Sequence, residues 1–216
     1  MEKILAVDLC NTLYDSNTTQ DFLNYSFAED KKYLNIKRKN SSFMFKVINK
    51  FSNKLFKYDM SRALITQILK DKTDKEIRDL VDRFIDDFLS EKKIEKTHSI
   101  IEEYKKKGYK VIMISASYGF IAERIAEKLD IDGVISSKAE LVDNKFTGKV
   151  EEDILYTKFL KFKNQFSKYN ELVMITDNET DYSFVKETKK SYIVINKHNK
   201  AFWEQRKEEK FIFLED

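Results

Sequence analysis

The stretch Ile4-Leu5-Ala6-Val7-Asp8-Leu9-Cys10-Asn11-Thr12-Leu13 decides the fold. Four apolar residues, β-branched at Ile4 and Val7, run straight into a carboxylate and a tight polar turn. A continuous apolar run of this kind reads as a strand covered on both faces, as in a parallel sheet. Open α/β sheets place their reactive groups at the carboxyl ends of such strands, so Asp8 is a candidate nucleophile.

The same texture recurs at residues 110–114, 172–176 and 192–195, and helical periodicity fills 99–107, 118–129 and 153–166. Alternation at this spacing predicts an α/β fold with a Rossmann-like, doubly wound parallel sheet. Between Tyr14 and Lys96 no strand texture intervenes, and the apolar spacing is helical, clearest at Ile77, Leu80, Val81, Phe84, Ile85, Phe88 and Leu89. The expected organisation is therefore a core domain of residues 1–14 and 97–216 with an inserted all-α cap domain at 15–96. Emerging beside Asp8, such a cap would exclude water and select substrate. Residues 139–150, with Asp143 and Asn144 at their centre, read as a hairpin with a polar turn.

Composition narrows the class. At 216 residues and 42% hydrophobic content, the chain buries one full core and has room for a small second one. Forty basic and 37 acidic side chains leave a charge of +3, too small to announce nucleic acid or a membrane. A single cysteine forms no intramolecular disulfide, and no apolar run approaches the roughly 20 residues of a spanning helix. The expectation is a cytoplasmic protein with no transmembrane segment.

Asp8 after the first strand, Ser115 after the second, Lys158 in a later helix, and Asp177 with Asp181 after Met174-Ile175-Thr176 follow one another in an order that resembles the haloacid dehalogenase superfamily. The similarity is to its phosphoserine-phosphatase-like branch, including the helical insertion directly after the first motif. The resemblance implies an Mg²⁺-dependent phosphomonoester hydrolase working through an aspartyl-phosphate on Asp8. It implies that Ser115 binds a phosphoryl oxygen and that Lys158 neutralises the phosphate and the nucleophile. Thr12, Asn11 and Ala116 would line the phosphate. Asp8, the Cys10 backbone carbonyl, Asp177 and Asp181, the last through a water, would hold Mg²⁺. Lys149, Lys161 and Lys163 lie near enough in sequence to compete with Lys158 for its role. The partner implied is a small anionic phosphorylated substrate, with no nucleic acid expected.

The charges make sense without the family. A carboxylate approaching a phosphate dianion is repelled, so a divalent cation and an ammonium group must offset the repulsion. Hard Mg²⁺ accepts oxygen donors and keeps several waters. Backbone amides at the helix starts after Asp8 and Ser115, the latter at Tyr118 and Gly119, would add anion-binding dipoles.

Two positions depart from the family pattern. The residue two after the nucleophile, an aspartate acting as general acid and base in the family's phosphatases, is Cys10 here. A thiol with an ordinary pKa of about 8.5 replaces a carboxylic acid poorly. This leaves phosphotransfer, dehalogenation, or a catalytically impaired binding protein as alternatives on the same scaffold. The second is Asn17, where phosphoserine phosphatases carry an acidic residue for the substrate's amino group, which turns the reading away from phosphoserine.

The remaining features have ordinary readings. Between Lys31 and Lys57, basic residues interleave with Phe43, Phe45, Phe51 and Phe56; the expectation is cap helices with their aromatic stripe in the core and lysines in water. His98 falls at the second hinge and His198 in a solvated loop, with no zinc-ligand spacing around either. Trp203, Phe202 and the charged residues 204–210 predict a packed C-terminal helix.

Overall fold

The computed structural model describes residues 2–215. In chain order its elements are β1 (Glu2–Val7), α1 (Thr18–Ser26), α2 (Lys31–Ser41), α3 (Phe43–Phe56), α4 (Met60–Thr66), α5 (Asp74–Asp87), α6 (Glu95–Lys106), β2 (Lys110–Tyr118) and α7 (Gly119–Lys128). They continue with β3 (Gly133–Val142), β4 (Lys145–Glu152), α8 (Lys158–Gln165), β5 (Tyr169–Thr176), α9 (Tyr182–Val185), β6 (Lys190–Ile195), α10 (Lys200–Glu204) and β7 (Phe211–Glu215).

One sheet runs in the order β4-β3-β2-β1-β5-β6-β7, parallel throughout except for the β3–β4 pair. The doubly wound sheet read from the sequence is present. The chain builds outward from β1 on one side, then returns to add β5, β6 and β7 on the other. That reversal opens a crevice at the carboxyl ends of β1 and β5, where α/β sheets bind ligands. Val7 is level with both Met113 and Ile175, so Asp8 and the residues just past those two partners face the same crevice. Alternate residues of β1 serve opposite layers: Leu5 and Val7 join one apolar cluster, Ile4 and Ala6 the other.

The segment between β1 and β2 is helical, and its helices begin where short polar side chains cap them. Asn17, Asp30, Ser42, Asp59 and Thr73 each accept a hydrogen bond from a backbone N–H of the following first turn. On α5, Ile77, Val81, Phe84 and Ile85 are buried in the same cluster as Leu5 and Val7, so the insertion shares its core with the sheet. Ion pairs from Arg78 to Glu123 (2.9 Å) and from Arg124 to Asp82 (2.7 Å) tie α5 to α7.

The β3–β4 hairpin turns at Asp143 and Asn144, both at positive φ, the geometry that matches strand twist in a two-residue loop. It is longer than residues 139–150 and is stitched to the insertion by Phe146 N–H to the Lys72 carbonyl (2.9 Å) and Asp71 N–H to the Phe146 carbonyl (2.8 Å). Gly148 sits at φ +82°, where a Cβ would meet the Lys70 Cβ at 3.0 Å and the Gln67 Cα at 3.3 Å; the hairpin approaches the insertion that closely only with glycine there.

Three expectations are corrected. The C-terminal helix stops at Glu204, and β7 follows as a parallel edge strand on β6; the β-forming run Phe211-Ile212-Phe213 outweighs the helical reading of the charged residues before it. Strand β2 does not close at Ser115 but continues to Tyr118, its pairing with β3 shifting register between those residues. Most unexpectedly, α3 buries none of its residues, so its aromatic stripe is not in the core. No helix among the described residues is long and apolar enough to cross a membrane.

Candidate active site

Asp8 is buried, its Oδ1 accepting the Leu9 N–H at 2.8 Å and its Oδ2 lying 2.8 Å from the Lys158 Nζ. Lys158 opens α8 and reaches under the strand ends, where it also donates to Asp181 Oδ2 at 3.0 Å. Both carboxylates and the ammonium are at most 3% exposed. Burial alone pushes the Lys158 ammonium down, but the charges of Asp181 and Asp8 outweigh it and hold the pKa above the ordinary lysine value. The rival lysines lie elsewhere: Lys149 and Lys161 pair with Glu140 and Glu152, and Lys163 lies over the Phe159 ring.

Asp181 is raised above the usual carboxylate range by burial, with Lys158 pulling it back and Asp8 pushing it further. Its Oδ2 accepts from both Lys158 and the Thr176 hydroxyl (2.8 Å), which makes it the anchor of the lysine. Asp177 borders the open crevice. Burial, then the charge of Asp8, pushes its carboxyl up to about 7.

Asp8 and Asp181 thus share one ammonium, with the Asp177 carboxyl near Asp8. Among the described residues no three His, Cys, Asp or Glu side chains cluster as a metal site. The donors that fit are the carboxylates of Asp8 and Asp177 with the Cys10 carbonyl, an oxygen-only set leaving positions to water, as Mg²⁺ tolerates.

A cavity of about 540 Å³ lies over these groups, bordered by Asp8, Ser115, Lys158 and Asp177 from the sheet side. Asn11 and Ala116 also line it. Asn11 holds φ +49°, a left-handed conformation that asparagine adopts at small cost, and so turns the chain after Cys10. Ser115 is buried, and its Oγ accepts the Ser117 N–H at 3.2 Å. Thr12, expected at the phosphate, is instead fully buried. Its hydroxyl donates to Asp177 Oδ1 (3.2 Å) and accepts the Asp177 N–H (3.0 Å). The turn at Asn11 points it away from the cavity and into the support of a carboxylate.

Cys10 is half-buried, its sulfur 3.3 Å from Thr18 Oγ1 and 3.2 Å from Ser117 Oγ, and those hydroxyls are 2.5 Å apart. Burial and the neighbouring Asp8 charge push the thiol above its ordinary pKa, so it stays protonated at neutral pH. Asn17 lines the cavity while capping α1 through the Gln20 N–H. His98 is buried at the hinge with Nε2 3.0 Å from the Leu13 carbonyl.

Sequence reasoning missed several contributors. Arg62, on α4, enters the cavity wall from the insertion. Its guanidinium donates to the Ala116 carbonyl, lies 3.5 Å from Asp153 Oδ2 and stacks 4.6 Å from the centre of the Tyr118 ring. Its Nε faces Asp153 and has no hydrogen-bond partner among the described residues. Behind Asp177, whose carbonyl accepts from Asn199 Nδ2 (2.8 Å) and Trp203 Nε1 (3.1 Å), the C-terminal segment braces the loop. Nothing in the sequence pairs Arg62 with Ala116; for Trp203, burial beside a polar turn was the available signal.

Comparisons with known proteins give the family and the fold. A sequence model of the family described as haloacid dehalogenase-like hydrolase matches residues 5–186. Among solved structures, a protein of unknown function from Bordetella pertussis Tohama I superposes with a TM-score of 0.77 at 14% identity, over 95% of this chain and 96% of that one. A substrate-bound phosphoserine phosphatase superposes at 0.62 with 18% identity over 98% and 93%. A phosphoserine phosphohydrolase-like protein from Francisella tularensis gives 0.61 at 15% over 98% and 95%. At these identities the likeness is one of fold.

Proposed function

Since this chain belongs to the haloacid dehalogenase-like hydrolase family, we propose that it hydrolyses a small phosphomonoester through an aspartyl-phosphate on Asp8. The observation that carries this reading is the buried Asp8–Lys158–Asp181 chain at the sheet's switch point, with Asp177 beside it and the cavity above. A carboxylate oxygen of Asp8 attacks phosphorus as the bond to the ester oxygen breaks, and the leaving oxygen takes a proton from water, giving an alcohol and an acyl phosphate. Water then attacks the same phosphorus, releasing phosphate and restoring Asp8. Lys158 holds the Asp8 carboxylate in place, and Ser115 donates to a phosphoryl oxygen. Asp8, Asp177 and the Cys10 carbonyl would hold Mg²⁺, with Asp181 acting through a water, and the ion would supply charge neutralisation. Residues 15–96 serve as the cap, with Arg62 as its cationic contribution to the substrate chamber.

Cys10 supports a second reading of the same site. With a protonated thiol where an acid–base carboxylate belongs, the second half of the reaction is slow, and phosphoryl transfer to an acceptor other than water competes.

The test is a panel of phosphorylated metabolites assayed with Mg²⁺ and with chelator. Mg²⁺-dependent phosphate release, absent in Asp8→Asn, is expected. Release that survives Asp8→Asn would remove the proposal.

A further inference from the structure

Helix α3 is inverted. Its half-buried residues are three polar ones and Phe45: Asn49 bonds to Asp59 (3.1 Å) and to the Ser61 N–H (3.2 Å), and Ser52 donates to the Tyr58 carbonyl (2.9 Å). Its outward side carries Phe43, Val47, Phe51 and Leu55 at four-residue spacing with Met44 and Ile48 alongside, one contiguous ridge. Phe43 is 82% exposed, Met44 74% and Leu55 68%. An apolar ridge of this length on a surface marks something that covers it.

The charge around the ridge says what kind of partner that is. From Lys31 to Tyr58 the chain carries nine lysines and arginines and no acidic residue; the whole chain sums to +3, so the rest sums to −6. Among the described residues no ion pair uses any of the nine. Lys46, Lys50 and Lys54, again four apart, run along one border of the ridge with Lys57 beyond them.

We propose that α3 docks on an anionic lipid bilayer, lying in the interfacial plane with its apolar ridge at the acyl boundary and its bordering lysines among the headgroup phosphates. Apolar burial and attraction to anionic lipid are the two terms that hold such a helix to a membrane. A second copy meeting this face two-fold would oppose two unneutralised basic stripes, and a convex ridge of aliphatic and aromatic side chains offers no groove that tracks a nucleic-acid backbone. Helix α4, which carries Arg62, follows α3 directly, and the polar side of α3, opposite the docked face, bonds to Asp59 and Ser61 of the cavity wall. The inference stands on the surface alone and does not depend on the reaction assigned to Asp8.

The test is cosedimentation of the full chain with phosphatidylcholine vesicles, with and without phosphatidylglycerol, at low and high salt. Expected is binding to the anionic vesicles at least about tenfold tighter than to the neutral ones and weakened by salt. Lys46→Glu with Lys50→Glu weakens it by about tenfold or more, and Phe51→Ser with Leu55→Ser by a similar factor. Circular dichroism of these surface variants should match the parent. No sedimentation with anionic vesicles overturns the proposal. So does binding indifferent to both variant pairs, a dimer in solution that Phe51→Ser dissolves, or single-stranded RNA outcompeting the vesicles.

Discussion

The floor of the cavity and the insertion that walls it are stabilised in opposite ways. On the floor, Asp8, Lys158 and Asp181 are buried and linked by ion pairs of 2.8 and 3.0 Å through the one ammonium. The insertion is split against itself. Helices α3 and α5 are both 14 residues long, yet α5 buries four large apolar side chains against the core and α3 buries none. The difference teaches where each region finds its partners: the floor pairs its charges inside the fold, while α3 leaves apolar side chains and lysines uncovered.

The strongest way to break the comparison is Lys158→Met, which leaves two buried carboxylates without their counter-ion. The expected cost is about 3–5 kcal/mol in chemical denaturation together with a drop in turnover of about 10²-fold or more. A near-neutral result would mean the floor is not held by charge. Next, Phe84→Ala on α5 should cost about 3–5 kcal/mol, whereas Phe51→Ala on α3 should stay within about 0.5 kcal/mol; equal losses would erase the distinction between the two helices. Cys10→Asp sharpens the floor itself, restoring an acid–base carboxylate between Thr18 and Ser117, and should raise phosphatase turnover by about 10²-fold. No change would show that another group already moves the proton. The smallest effect is expected from Arg62→Ala, a rise in KM of about tenfold with kcat little altered, because the guanidinium borders the chamber without touching Asp8.

Part of the floor and its rim was legible because the residues concerned follow apolar strand runs. Asp8, Ser115 and Asp177 follow runs whose texture names them as buried parallel strands, and register then brings them to one edge. Lys158 was preferred by resemblance over Lys149, Lys161 and Lys163, and the structure sets it, rather than those three, against Asp8. Thr12 was misplaced because the left-handed turn at Asn11, invisible in composition, rotates it onto Asp177. Strand β7 was hidden behind a charged stretch that reads as helix, and it becomes a strand only because β6 offers it an edge. The inversion of α3 escaped for a more general reason: an amphipathic period shows that a helix has two faces but not which one faces inward. Here Asn49 and Ser52, through hydrogen bonds made across the loop at Asp59, turn the polar face in.

The account rests on Asp8 taking the phosphoryl group. Acid quench of the enzyme during turnover of a phosphomonoester substrate, followed by intact and peptide mass analysis, tests it directly. The predicted result is a gain of one phosphoryl group on the peptide carrying Asp8, labile to hydroxylamine and absent from Asp8→Asn. Turnover with no adduct, or an adduct on Ser115 instead, would contradict it.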